Sequence, residues 1–284
     1  MKKVYVASGW FNERDDRILT SIEDKLMNME GITPYRPRKD GIELTSEQFH
    51  DHALRKGIFE SNVVNIDDSD FLVVNLDCGS ARLDTGTVWE CSRAVSLGIP
   101  VIVYDETQSI EKRLHGISKY LPYRASNLNS LEMMVNAFME MSTKSPRMLV
   151  KSTEKPNPLV LCDKTGNIDL VATILDTVNT VRVIPDPESL EFSSIESLFD
   201  NTSCVVIPTD TKSSILTWYM GMAYALNIPI FTYSDTNSPL NLMLVFSVVS
   251  HLTDLSNVTR DLSLFIRQGL SAFGEYDTST IRVY

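Results

Sequence analysis

The chain of 284 residues has only four cysteines and four histidines. Cys78, Cys91, Cys162 and Cys204 are scattered, with no CxxC pair. That spacing argues against a disulfide framework or a thiolate metal site and fits a reducing cytoplasm. His50 and His52 lie close together, but no third ligand is spaced with them, so no metal is expected. Long apolar runs are missing too. None approaches the roughly 20 residues of a membrane span. The segment Met1-Lys2-Lys3-Val4-Tyr5-Val6-Ala7 has no signal-peptide core and reads as a first strand. Positive charge is in deficit, with 26 Lys and Arg against 37 Asp and Glu and a net charge of −11. Such a balance argues against a binder of phosphate backbones, so nucleic acid is not an expected partner, and with no apolar span neither is a membrane. An acidic surface serves solubility. The hydrophobic fraction of 43% is ordinary for a globular chain, and the length suits one large or two ordinary domains.

What is present falls into two halves. Pro, Ser and Lys concentrate near residues 142–157, as in a linker. This gives expected domains at 1–146 and 157–284. Short apolar runs alternate with helical periodicity on both sides. In the first half, strands are expected at Val4–Ala7, Phe71–Leu76 and Pro100–Tyr104. Helices are expected at Arg17–Met29, Val88–Leu97 and Leu131–Met141. In the second half, strands are expected at Leu159–Cys162, Val181–Ile184, Cys204–Ile207 and Ile228–Tyr233, with helices at Ile168–Val178 and Ile215–Leu226. This alternation indicates βαβ units and a parallel sheet in each half. The halves also match locally. The run from Trp89 to Ile102 aligns without a gap on the run from Trp218 to Phe231, with Trp, Ala, Leu, Ile and Pro coinciding. The pattern is that of a degenerate internal duplication. It sets Tyr219 opposite Glu90 and Ser213 opposite Asp84, so the second half lacks both carboxylates.

Asp84-Thr-Gly-Thr-Val-Trp-Glu90 carries the chemistry. An apolar strand runs into a helix through this segment, which brings both acids to the carboxyl edge of a parallel sheet, where open α/β sheets bind ligands. Two carboxylates there suit attack at a glycosidic carbon, one as nucleophile and one handling a proton or gripping the sugar. A plainer reading makes Asp84 a helix cap and Glu90 a surface residue one turn on. The methionines Met133, Met134, Met139 and Met141 have helical spacing and read as core or interface.

These residues resemble the nucleoside 2-deoxyribosyltransferase family. Tyr5-Val6-Ala7-Ser8-Gly9-Trp10-Phe11 looks like its first strand and Gly-Trp-Phe turn, continued by Glu13-Arg14. Asp84-X-Gly86-X-X-X-Glu90 has its aspartate-to-glutamate spacing. Pro239-Leu240-Asn241-Leu242-Met243 looks like a segment whose asparagine, in the family, reaches a neighbouring subunit's active site. The chain ends in Val283-Tyr284, as family members often do, with the terminal carboxylate near the pocket. One departure stands out. Where the family usually has an aspartate assigned to proton transfer, this chain has Asn62, which can hydrogen-bond a base but cannot act as an acid.

The resemblance implies two flavodoxin-like α/β lobes forming a pseudo-dimer, with further homo-oligomerisation. It implies base exchange on a 2′-deoxynucleoside with net retention, a free nucleobase as second partner, and no cofactor. Glu90 would be the nucleophile, Tyr5 its orienting partner and Asp84 the proton handler. Gly9, Trp10, Phe11, Asn62, Gly86, Asn241 and Tyr284 would line the substrate site. Two rival readings use the same residues. A nucleoside or 5′-monophosphate N-glycosidase would let water attack instead, though the bulky Gly9-Trp10-Phe11 loop disfavours a phosphate. A non-catalytic nucleoside-binding protein would need no carboxylate pair.

Overall fold

The computed structural model describes residues 1–45, 47–77, 82–140, 147–149, 151, 157–162, 168–178, 180–191, 194–195, 197–209, 213–236 and 240–273, with only the backbone of residue 188. The chain divides into two compact units, Met1–Met148 and Leu149–Tyr284.

The first unit runs β1 (Lys2–Ala7), α1 (Glu13–Met27), β2 (Ile32–Tyr35), α2 (Pro37–Asp40), α3 (His52–Asp67), β3 (Phe71–Asn75), α4 (Thr85–Ser96), β4 (Val101–Tyr104), α5 (Ile110–Arg113), β5 (Tyr123–Ala125) and α6 (Leu128–Glu140). Its five strands form one parallel sheet in the order β2-β1-β3-β4-β5. Local chemistry starts the long helices. Asn12 caps α1 through Asp15 N, and Asp51 caps α3 through Ala53 N and Leu54 N. Three acids, Glu13, Asp15 and Asp16, then sit in the first turn of α1, where the helix dipole favours them.

Strand parity decides what each face of this sheet does. Val4, Val6, Phe71, Val73, Ile102 and Tyr104 pack with Ile18, Leu19, Ile22 and Leu26 of α1 and Leu131, Val135 and Phe138 of α6. Successive strand residues alternate faces, so Tyr5, Ala7, Leu72 and Val74 project to the other side. On that side α3 and α4 are joined by the Phe59–Trp89 ring contact at 5.7 Å and by a two-pronged Arg93–Asp67 pair at 2.7 and 2.9 Å.

The second unit contains β6 (Asn157–Leu161), α7 (Ile168–Thr177), β7 (Arg182–Ile184), β8 (Thr202–Pro208), α8 (Ser214–Ala225), β9 (Ile230–Tyr233), α9 (Leu242–Phe246), β10 (Ser250–Leu252) and α10 (Leu255–Gln268). Its sheet is also parallel, in the order β10-β9-β8-β6-β7. Numbered within each unit, both sheets read 2-1-3-4-5, the order of flavodoxin-like folds.

The likeness extends to single bonds. After α4, the amides of Leu97, Gly98 and Ile99 donate to the carbonyls of Arg93, Val95 and Ala94. After α8, those of Leu226, Asn227 and Ile228 donate to Met222, Tyr224 and Ala223. Pro100 O and Pro229 O then accept from Leu72 N and Val205 N at 2.9 and 2.8 Å. The turn needs a left-handed residue, supplied by Gly98 (φ 73°) in one unit and Asn227 (φ 56°) in the other.

Several elements differ from the sequence expectations. β2 holds Pro34, which suits an edge strand but breaks the apolar signature. α3 buries Arg55 and Asn62 along with Phe59 and Ile66, so its buried face does not read as apolar. β5 is exposed at two of its three residues. Met133 is exposed, whereas Met134 and Met139 pack on the core. The expected linker lies mostly outside the described residues.

The shared turn makes a stability prediction. Gly98→Ala should cost about 1–2 kcal/mol, because a Cβ is disfavoured at positive φ. Asn227→Gly should be neutral or slightly stabilising. Urea unfolding of the two variants checks the contrast, and equal effects would refute it.

Candidate active site

The site grows from the carboxyl edge of the first sheet. Tyr5 is fully buried on β1, on the side facing α3 and α4. Its hydroxyl donates to Glu90 Oε1 at 2.6 Å. Glu90 lies one and a half turns into α4 and is 7% exposed. Burial pushes the Glu90 carboxyl up to about 8, the charge of Asp84 adds to this, and the Tyr5 bond opposes it. The Tyr5 phenol is held well above its ordinary value, first by burial and then by the Glu90 charge, so it stays a neutral donor.

Asp84 is the N-cap of α4. Its Oδ2 accepts from Thr87 N at 2.7 Å and Thr87 Oγ1 at 2.8 Å. The cap reading is therefore correct, and it does not compete with a place in the site. The same carboxylate is raised by burial against the pull of these donors, and the charge of Asp15 raises it further. Gly86 sits in the buried first turn just behind it.

The loop after β1 lies directly against Asp84. A Cβ built on Gly9 would come within 3.1 Å of Asp84 Cβ and 3.5 Å of the Phe11 ring. Trp10 and Phe11 stack with ring centroids 5.6 Å apart and are 41% and 61% exposed. Ser8 is buried beneath this loop. Its hydroxyl donates to Gly9 O at 2.7 Å and accepts from Asn75 Nδ2 at 3.0 Å. Asp77, also buried, pairs with Arg14 and accepts from Thr107 N at 3.0 Å. Ser8 is thus committed to the scaffold.

Asn62 is 8% exposed on α3, one turn beyond Phe59, whose ring meets Trp89 next to Glu90. Asn241 lies in the second unit, 7% exposed, and caps α9 through Met243 N at 2.9 Å. Tyr284 and Pro239 lie outside the described residues.

Three neighbours escaped the sequence reading. Tyr35 pairs in register with Tyr5 and stacks on it at 5.6 Å, while its hydroxyl meets Ser61 Oγ at 3.1 Å. Only the strand pairing places it there. Thr87 fixes Asp84, and Asp15 adds a third carboxylate near it. The dense acid run Glu13-Arg14-Asp15-Asp16 was the available signal for the latter.

In the second unit the helix equivalent to α4 keeps the frame without the acids. Ser213 caps α8 through Leu216 N at 3.3 Å, as Asp84 caps α4. Tyr219, fully buried at the position aligned with Glu90, donates to Pro187 O at 3.0 Å.

Two predictions follow from this geometry. Glu90 is neutral in the fold below about pH 8 but ionises near 4.5 when unfolded. Over that window the native state holds more protons, so Glu90 makes stability fall as pH rises, by at most about 1.4 kcal/mol per pH unit. Glu90→Gln should therefore raise Tm, by a margin that widens from about pH 5 to 8 and is flat above. Melting curves across that range decide it, and a constant margin would count against it. Gly9→Ala should displace the Asp84 side chain by a few tenths of an ångström, with a Tm change of only a few degrees that melting curves would read.

Comparison with known proteins adds an independent line. Residues 4–155, nearly all of the first unit, match the family nucleoside 2-deoxyribosyltransferase. The chain is similar to a 2-deoxyribosyltransferase from Bacillus psychrosaccharolyticus, at 26% identity over 46% of this chain and 90% of that one, with a TM-score of 0.40. A conserved protein from Enterococcus faecalis V583 is similar at 22% identity, 52% and 89% coverage and a TM-score of 0.32. A 2-desoxiribosyltransferase from Leishmania mexicana is similar at 19% identity, 40% and 71% coverage and a TM-score of 0.30. No curated protein matches the chain. A family pattern that spans more than half of the chain and takes in Tyr5, Asp84 and Glu90 carries the conclusion: the chain belongs to the nucleoside 2-deoxyribosyltransferase family.

Proposed function

We propose that the protein exchanges the base of a 2′-deoxynucleoside through a covalent deoxyribosyl ester on Glu90. The observation that carries this reading is the buried Tyr5–Glu90 bond at 2.6 Å beside Asp84. Breaking the bond from C1′ to the base builds positive charge on the sugar. A buried carboxylate stabilises that charge strongly, because little water screens it. Tyr5 holds one oxygen of Glu90 and leaves the other to form the ester at C1′. The electron pair of the broken bond goes to the leaving nitrogen of the base. Asp84, whose carboxyl is raised by burial, supplies the proton, and Asn62 hydrogen-bonds the base edge. An incoming base then attacks C1′, the ester opens, Glu90 is regenerated and the proton of the second base returns to Asp84. Two inversions give retention.

Trp10 and Phe11 supply aromatic wall. The second lobe, 157–284, reads as a degenerate repeat of the catalytic lobe, 1–146. The shared strand order and the matching turn bonds at Gly98 and Asn227 support this. Having lost both carboxylates, it would contribute binding rather than chemistry, through Asn241, and the protein would act as a homo-oligomer. The role that fits is nucleoside salvage, with deoxynucleoside and free nucleobase as the partners.

The test is a product assay on the purified chain, with a deoxynucleoside incubated with and without a different free base. A new deoxynucleoside that forms only with the added base is expected. Free base released at the same rate without acceptor would instead establish the hydrolase. Glu90→Ala should remove turnover by several orders of magnitude while ligand binding persists; undiminished turnover would refute Glu90 as the nucleophile, and ligand binding with no turnover in the unaltered chain would leave a binding protein. Because Glu90 must be ionised to attack while Asp84 must carry the proton it gives to the base, kcat/KM should pass through a maximum in pH, falling on the acid side as Glu90 is protonated and on the alkaline side as Asp84 loses its proton. Tyr5→Phe removes a bond that favours the anion, so this acid limb should move up by about one to two pH units.

A further inference from the structure

Arg55 is 4% exposed on α3, and its Nε has no hydrogen-bond partner. An arginine cannot shed its proton to escape burial. Leaving that buried N–H of a charged group without an acceptor is unfavourable. The other buried charges of the first unit are answered. Glu23 meets Arg38 and Lys39, Asp77 meets Arg14, Arg93 meets Asp67, and Glu90 meets Tyr5. Nor are acids scarce, since the chain carries 37. Among the described residues Arg55 makes no ion pair, while Lys56 beside it pairs with Glu60 at 3.7 Å.

Its position relates it to the site. Arg55, Phe59, Asn62 and Ile66 form the buried face of α3. Phe59 lies against Trp89 and Asp67 against Arg93, so α3 and α4 run in the same direction. One turn before Phe59, Arg55 is therefore level with the first turn of α4, where Asp84 and Thr87 sit. It is about 10 Å along the helix from Asn62, on the same face.

We propose that Arg55 is an anion-recognition residue of the substrate site, and that the preferred substrate carries an oxyanion group facing α3. The inference rests on the reading of Glu90 and Asp84 as the substrate site. A guanidinium offers two parallel N–H donors, which match the paired oxygens of a carboxylate or phosphate. The group can be a carboxylate on the base or a 5′-phosphate on the sugar. Its arrival would complete the missing ion pair, so binding and charge neutralisation coincide.

The test uses the full chain carrying Glu90→Gln, which should bind without turnover. Calorimetry is run with three probes: a neutral deoxynucleoside, its 5′-monophosphate, and a deoxynucleoside with a carboxylate on its pyrimidine. One anionic probe should bind at least about tenfold tighter than the neutral one. Which of them it is identifies the source of the oxyanion. Adding Arg55→Met should erase that preference, leave neutral binding unchanged, and leave the unliganded Tm equal or higher. Equal affinity for all three probes, or a preference that survives Arg55→Met, would overturn the proposal. So would loss of folding in both Arg55→Met and Arg55→Gln, which would make the arginine structural. If the wild type shows no base exchange while the Arg55-dependent preference stands, the transferase reading fails and this one does not.

Discussion

The site depends on one hydrogen bond, that from Tyr5 to a carboxylate the fold has removed from water. Burial alone would leave Glu90 a neutral acid over most of the pH range, ill suited to the nucleophilic role proposed for it. The phenol partly reverses this by favouring the anion. Its ability to do so traces back to strand parity. Val4 and Val6 are committed to the core under α1 and α6, so Tyr5 has to face α4. A slip of one residue in β1 would bury a valine at this place and put the phenol among the leucines of α1. The apolar pattern that stabilises one face thus aims the polar group on the other.

The second lobe shows how little of this the scaffold requires. The helix equivalent to α4 keeps a capping oxygen, a buried tryptophan and the same left-handed exit turn, yet it carries Tyr219 in place of Glu90. Tyr219 satisfies its hydroxyl on a backbone carbonyl and packs fully. An uncharged residue there is easily accommodated, whereas Glu90 needs a dedicated donor. Keeping the acid in the first lobe works against stability, and stabilising replacements at such a position are expected to cost function.

Much of the architecture was legible in the sequence. Continuous apolar runs such as Phe71–Asn75 and Val101–Tyr104 announce buried parallel strands, and Asp84 announces a helix start. Elements with mixed faces were not. α3 escaped because its inner face holds Arg55 and Asn62, polar groups that a periodicity argument assigns to solvent. β2 and β5 escaped because edge strands are half-exposed and lack the run. The spacing of Asp84 and Glu90 could be read directly, since one helix sets it. Tyr35 could not, because its place beside Tyr5 is a property of strand register. Residues joined by local geometry were visible in the sequence, and those joined across the sheet were not.

The three tryptophans of the chain are unequally placed. Trp89 and Trp218 are fully enclosed, while Trp10 is 41% exposed and stacked on Phe11 in the loop that touches Asp84. An enclosed indole emits in the blue and is shielded from dissolved quenchers. A half-exposed one emits further to the red and is reached by them. The long-wavelength edge of this protein's fluorescence therefore belongs to a single residue at the rim of the site, so the molecule carries its own optical reporter of what occupies that rim.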